Sequence, residues 1–402
     1  MPRPEPRHPV TIADLTAGLI WPRLLRTFPL AIQPPRVLLG LLIVLWTLIV
    51  GAGFDAISGV RIQPSGFAEA AGPFASLVAR LRDGFHGAVM GAMTADLPRI
   101  AEGFREALLT GPRLLWAQSK GAALGLAGAM LVLVVPVAAL LAGGICRMVA
   151  CDVASDLNLT AAEAVSTARR RWRSVLGATL GPLLLLGILA LLIAGLGCLT
   201  LGFPGVSIVG GVLYGAFLLL GAAMVLVGAG YAAAGWMLIP AVVVEGTDAI
   251  DAVQRAYAYA LGRPGRLMLY CGIVVAVIAV SYGVLALLAS ETIQWTASIA
   301  SVWTGRPPLG GGVHAFAPMP AAPTNLEGST ALASAAVRWW ERLLIDLVAG
   351  VVVSMVCTGS TLLYLLLRRV NDEQDIEDIW SPEARAAVSL PAADAAPVES
   401  GA

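Results

Sequence analysis

Apolar residues in this chain do not alternate with polar ones, and they do not recur on one face of a helix. They fill whole runs: Val37–Phe54, Gly121–Gly143, Val175–Leu196, Val206–Gly230, Leu267–Ser290 and Leu343–Leu367. A helix needs about 20 apolar residues to cross the hydrocarbon core. Strands of a membrane barrel would show period-two alternation instead. The pattern therefore predicts an all-α, polytopic transmembrane bundle of about six spans. The first run is the shortest, and Trp46 with the small residues after Val50 suits an interface. It begins only after 36 residues carrying five arginines, too long a lead for a secretory n-region, so it reads as an anchor.

Val175 to Val244 holds no charged residue, so three spans instead of two would fit there and put Arg368 and Arg369 on the other side. No turn signal divides Val206–Val244 as clearly as Gly202-Phe203-Pro204-Gly205 divides the stretch before it. The two-span reading has the fourth helix running on past the core, or breaking near Gly228-Ala229-Gly230 or Pro240.

The segments between the runs are of several kinds. Leu15, Leu19, Leu24, Leu25 and Phe28, with Trp21 and two arginines, predict an interfacial helix before Pro34-Pro35. Phe74, Leu77, Val78, Leu81, Phe85 and Val89 share one helical face, and a second stripe follows at Leu97, Ile100, Phe104 and Leu108. These are amphipathic helices that lie on the membrane or cap the bundle, or else a small hairpin with its own core. Thr304 to Gly328 is rich in Pro and Gly and forms no regular element. Trp339 and Trp340 mark an aromatic belt. The tail from Ser381 has the Ala- and Pro-rich composition of disorder. The chain thus divides into an interfacial N-terminal segment (1–36), a transmembrane domain (37–370) and an acidic, then disordered tail (371–402).

Composition agrees. Of 402 residues, 58% are hydrophobic and 13% charged, against roughly 25% charged in soluble domains. Basic and acidic residues balance at 26 each, which gives no sign of a nucleic-acid partner. Their placement is more informative. With both termini inside, inner segments hold 16 of the 26 basic residues, and the turn at Gly197–Gly205 holds none. Arg368-Arg369 closes the last span. The positive-inside rule then places both termini in the cytoplasm of a bacterial inner membrane.

Two inner segments resemble each other. Glu163-Ala164-Val165-x-x-Ala168 and Asp251-Ala252-Val253-x-x-Ala256 recur at an offset of 88 residues. Each follows one span, contains Arg and leads into another. Thr160 and Thr247 are the expected N-caps. Both segments, 160–173 and 248–262, are expected as short helices at the inner surface, with the acid in the first turn favoured by the helix dipole. Arg169, Arg170, Arg171 and Arg173 lie within five positions; on one helix they would spread over about 400°. With Trp172 among them, they are expected to meet anionic lipid headgroups. This pattern of span, short helix with acid and Arg, then span resembles uncharacterised bacterial membrane families, such as the membrane domain ahead of some glycerophosphodiester phosphodiesterases. The resemblance rests on Glu163, Asp251 and the nearby arginines across Gly121–Ser290. It implies a membrane module of unassigned function.

The search for chemistry adds little. Cys146, Cys151, Cys198, Cys271 and Cys357 are odd in number and lie in or beside apolar runs, so no disulfide framework follows. His8, His86 and His314 are far apart, and no metal, nucleophile-elbow or phosphate-loop motif occurs. No catalytic, cofactor or metal residue is assigned. Asp55 reads as a solvated helix end, and Asp346 as the local ion partner of Arg342. Gly121/Gly125, Gly177/Gly181 and Gly211/Gly215 suit close helix packing. Pro136 predicts a kink. The acidic run Asp372 to Asp378, ending at Trp380, reads as a solvated tail. The sequence names no protein partner. The expected function is a non-enzymatic membrane scaffold or accessory protein, with a transporter or channel for an apolar or lipid-like substrate as the alternative.

Overall fold

The computed structural model describes residues 21–62, 71–94, 96–155, 157–202, 207–303 and 328–380. The Pro- and Gly-rich loop, the tail from Ser381, residues 12–20 of the expected interfacial helix, His8 and His314 lie outside the described residues. Within them the fold is all-α, with no strand beyond an isolated bridge between Ile62 and Ala71. In chain order the helices are α1 (Pro34–Ser58), α2 (Pro73–Met93), α3 (Leu97–Arg105), α4 (Gly111–Gln118), α5 (Lys120–Ala129), α6 (Val135–Ser155), α7 (Ala161–Arg170), α8 (Trp172–Leu201), α9 (Ser207–Glu245), α10 (Ala249–Gly262), α11 (Pro264–Ser301) and α12 (Ser329–Asp372). Six are long and apolar enough to span a membrane, counting α5 and α6 as one. Two of them, α8 and α9, share the uncharged stretch from Val175 to Val244. A π-helical turn, Met130–Val134, joins α5 to α6 just before Pro136. There the missing proline N–H and the ring's bulk are absorbed by a widened turn. The indole of Trp46 donates to the Leu133 carbonyl in that turn at 2.8 Å.

The helices are longer than the bilayer requires. The 39 residues of α9 rise about 58 Å, nearly twice a 30 Å hydrocarbon core. The extra turns run unbroken through Pro240 and enter a protein-like core at one end of the bundle. We call this the elbow end, because α7 and α10 sit there. Ala234, Met237, Leu238 and Ala241–Val244 of α9 are buried in it, with Ile145–Cys151 of α6. At its centre is α12, where every residue from Cys357 to Arg368 is buried. The N-terminal segment does not simply lie on the surface. A 3-10 turn (Trp21–Arg26) and one helical turn (Thr27–Ala31) wedge Leu24, Leu30 and Ala31 into this core. Ser354 Oγ donates to the Ala31 carbonyl at 2.8 Å. In contrast, α8 and α9 away from the elbow end pair with each other and expose Leu191, Leu199, Val212, Leu219 and Leu226.

The internal repeat has a structural counterpart. Ala164 and Ala168 of α7, and their offset partners Ala252 and Ala256 of α10, are all 0% exposed. Each short helix packs back along the span before it: Val165 against Gly144, Tyr257 against Gly230. Small residues at i and i+4 let each elbow lie flush on that span. The caps differ. Thr160 and Glu163 form a reciprocal capping box. At α10 the N-cap is Asp248 rather than the expected Thr247, and its side chain accepts no capping bond.

The capping box makes α7 sensitive to pH. Hydrogen bonds from the Thr160 hydroxyl, then from its backbone N–H, hold the Glu163 carboxyl below its usual range. A carboxylate with a lowered pKa in the folded chain stabilises at pH above its unfolded value, and the contribution is lost as pH falls through the folded one. Amide exchange across residues 157–170 is expected to be faster in Glu163→Ala than in the native chain at neutral pH. The gap should close below the normal glutamate range. An equal gap at both pH values would remove the carboxylate from the cap.

At the far end, α2 and α3 form a close hairpin that docks on the bundle. The hairpin is made by glycine rather than by the second apolar stripe. A Cβ on Gly103 would sit 2.3 Å from the Ala88 nitrogen, and one on Gly91 2.7 Å from the Ile100 nitrogen, while Leu97 and Phe104 point outward. The first stripe does the docking. Phe74 joins Ile62, Leu115, Ala122 and Leu126 in a second small core. Phe85 meets Tyr282 of α11 edge-on at 4.9 Å. His86 Nδ1 lies 3.0 Å from the Tyr282 hydroxyl. Asp55 is not a solvated helix end: its carboxylate accepts from the Phe74 and Ala75 N–H groups at 2.7 and 2.9 Å, capping α2 from a neighbouring helix.

Candidate functional site

Long apolar helices leave their polar chemistry where they end, and here the elbow end collects it. The last turn of α9 presents carbonyls with no intrahelical partner and the negative pole of a 39-residue helix. Two of these carbonyls, and the Glu245 side chain, are met from elsewhere in the chain. Arg147 of α6, 4% exposed, donates to the Val243 carbonyl at 3.2 Å. The backbone N–H of Trp380 donates to Val244 at 2.8 Å. The Glu245 carboxylate, 8% exposed, accepts from Arg255 of α10 and from the Tyr364 hydroxyl of α12. A carboxylate at a helix C-terminus opposes the dipole, so the Arg255 charge is what lets it stay there.

Two further ties close the same end. Arg36, 2% exposed at the start of α1, pairs with Asp152 at 2.7 Å. It also donates to the Leu30 and Met148 carbonyls at 2.5 and 3.3 Å. Gln33 adds a bond to the same carboxylate at 3.1 Å. Tyr259 of α10 donates to Asp372 at the end of α12. Burial first, then that bond, push the Tyr259 phenol well above its usual range, so it remains a donor at any physiological pH.

The acidic stretch after α12 is not simply a solvated tail. Glu373 takes a left-handed conformation, φ 56°, which ends the helix. Arg368 donates to the Asp375 carbonyl at 2.7 Å, Ile376 is buried, and the chain folds back until Trp380 lies over Gly246. That glycine has φ +63°, and a Cβ there would fall 2.6 Å from the indole ring. Arg147 and Arg171 stand over Trp380 at 5.7 and 4.5 Å. The ring therefore has two cations over it and rests on a surface that only glycine provides.

Trp380 forms one wall of a cavity of about 690 Å³ lined by Thr167, Arg170, Arg171, Arg173, Ser174 and Asp248, with Trp172 at its edge. Residues 160–173 are not one helix. They break at Arg171, φ −110° and ψ 25°, between α7 and α8. On a continuous helix the four arginines would diverge. The break turns Arg170, Arg171 and Arg173 toward one cavity and leaves Arg169 exposed outside its lining. Sequence reading found the arginines but not their convergence, nor Trp380, Asp248, Thr167 and Ser174, which no local pattern ties to them. Of the other candidates, Cys146 packs on Cys357, its thiol 3.7 Å from the Cys357 carbonyl, and Cys151 is buried. Asp346 is half-buried, and Arg342 acts on it as a nearby positive charge without closing to a salt bridge. Comparison with protein-family models, curated proteins and solved structures finds no match for this chain.

Proposed function

We propose that this multi-pass membrane protein is a non-enzymatic scaffold or accessory protein of a bacterial inner membrane, with the elbow end and both termini on the cytoplasmic side. The observation that carries this reading is the closure of the elbow end. The Arg36–Asp152 pair joins α1 to α6, Arg147 joins α6 to α9, and Glu245 joins α9 to α10 and α12. Transporters that alternate access rock one group of helices against another, and such a motion would break these buried ties. The hairpin of α8 and α9 supports an accessory role. Its free faces carry Gly181, Gly211 and Gly215 with nothing within 4 Å of a Cβ, surfaces that suit another membrane helix. The span–elbow–span organisation, like that of the membrane domain ahead of some glycerophosphodiester phosphodiesterases, fits a module that works through contacts.

Orientation is tested with fusion reporters placed after Arg369 and within residues 197–205. The two are expected to give opposite signals, with the Arg369 fusion reading cytoplasmic; matching signals would sink the six-span orientation. The choice between scaffold and transporter is tested with purified protein in vesicles carrying a fluorescent phospholipid. The expected rate of movement between leaflets is that of protein-free vesicles. Acceleration would replace the scaffold with a carrier of lipid-like substrates.

A further inference from the structure

We infer that the cavity between the two elbows is a binding site for a phosphate-bearing anion, with the headgroup of an anionic phospholipid as its natural occupant. Three observations converge there. Arg170 and Arg173 line the cavity and form no ion pair among the described residues. Guanidinium forks match phosphate oxygens in geometry as well as charge. The cavity also opens on the first turn of α8, whose N–H groups no side chain caps, so backbone donors and the positive helix pole add to the arginines. Finally, Trp172 and Trp380 flank the site. Trp172 is 48% exposed and of the residue type that settles at headgroup depth.

Size and charge favour a headgroup over a bare ion. A cavity of about 690 Å³ is in the range of sites for whole small molecules, which run from about 300 to 1,000 Å³. Asp248, which lines the same cavity, repels a second negative charge but accepts from a hydroxyl or amine carried by the same headgroup. The inference rests on the proposed placement of the elbows at a leaflet surface. It does not depend on whether the protein is a scaffold or a carrier.

Arg169 supplies the control. It carries the same charge in the same cluster but lies outside the cavity lining. The full-length protein is purified in detergent and titrated with short-chain phosphatidylglycerol, short-chain phosphatidylcholine or inorganic phosphate, and binding is read by native mass spectrometry and by thermal shift. The native chain is expected to retain phosphatidylglycerol in preference to phosphatidylcholine. The Arg170→Gln/Arg173→Gln variant should weaken that binding by roughly 30-fold, taking about one interfacial Arg contribution for each residue lost. Arg169→Gln should leave it within about two-fold of native. These arginines are exposed, so an unchanged melting temperature without lipid confirms that the variants fold. If inorganic phosphate at millimolar concentration stabilises the native chain as well as phosphatidylglycerol does, the site stands but its occupant is soluble. Equal losses in both variants, or no preference for an anionic lipid or phosphate, would overturn the site and leave the cluster as diffuse surface charge. A wrong orientation of the elbows would appear in the fusion reporters and not in this titration.

Discussion

Arg36→Ala is expected to destabilise the protein by about 3–5 kcal/mol, the range for removing one partner of a buried pair. Asp152 would be left beneath α1 without its countercharge, and the Leu30 and Met148 carbonyls would lose their donor. Asp152→Ala should fall in the same range: it leaves the more buried charge, Arg36 at 2% exposed against 15% for Asp152, without its counterion, although Arg36 keeps its two carbonyl acceptors. A paired Arg36→Met/Asp152→Leu change should lose far less than the sum, since replacing both charges by apolar groups removes the desolvation penalty along with the attraction. Denaturant unfolding in detergent reads all three variants. If Arg36→Ala shifts stability by under about 1 kcal/mol, the pair does not hold α1 to α6.

The second large effect is steric. α1 and α12 cross with Gly40 against Gly350. A Cβ on Gly40 would lie 2.2 Å from the Gly350 carbonyl oxygen, and one on Gly350 would lie 2.8 Å from the backbone of Leu41. The obstructing atoms are backbone, so no rotamer change relieves them and the helices must separate. Gly40→Ala and Gly350→Ala are each expected to destabilise by about 1–3 kcal/mol, with Val at either position worse. The two should be sub-additive, because one separation accommodates both. Gly211→Ala and Gly215→Ala make the comparison. Nothing lies within 4 Å of either added methyl group, so helix propensity alone applies and each is expected to be neutral or stabilising by up to about 1 kcal/mol. The reverse order, with the Gly211 and Gly215 variants the more damaging, would show that this hairpin face is packed against a partner and that the crossing of α1 and α12 is loose.

Those two glycine sets mark the boundary between local and long-range information. Four-residue spacing within one helix singled out Gly211 and Gly215, but close approach needs a second helix turned toward the same face. Gly40 and Gly350 are 310 positions apart in the numbering and have no shared local signature. Asp55 is similar. Next to the end of an apolar run it reads as solvated, and only the return of the chain at Gly72 brings two amide donors to it. Thr160 as the N-cap of α7, by contrast, was legible because cap and first turn are adjacent in the chain, while its reciprocal bonds with Glu163 came from the structure.

The helical state of the spans, and about six of them, could be read from the sequence itself, because the free energy of placing about 20 apolar residues in hydrocarbon depends on those residues alone; whether Val175–Val244 holds two spans or three stayed open until α9 was seen to run unbroken over Ser207–Glu245. Ala164/Ala168 and Ala252/Ala256 were visible as a repeat because each pair lies within one short segment. The cavity was decided by tertiary structure. It requires a helix break at Arg171, which the sequence Arg-Arg-Arg does not announce. It also requires Trp380, some 200 residues away, to find Gly246 in a left-handed turn and settle beneath Arg147 and Arg171. Such contacts depend on how helices rotate and cross, and hydropathy along the chain carries no record of that.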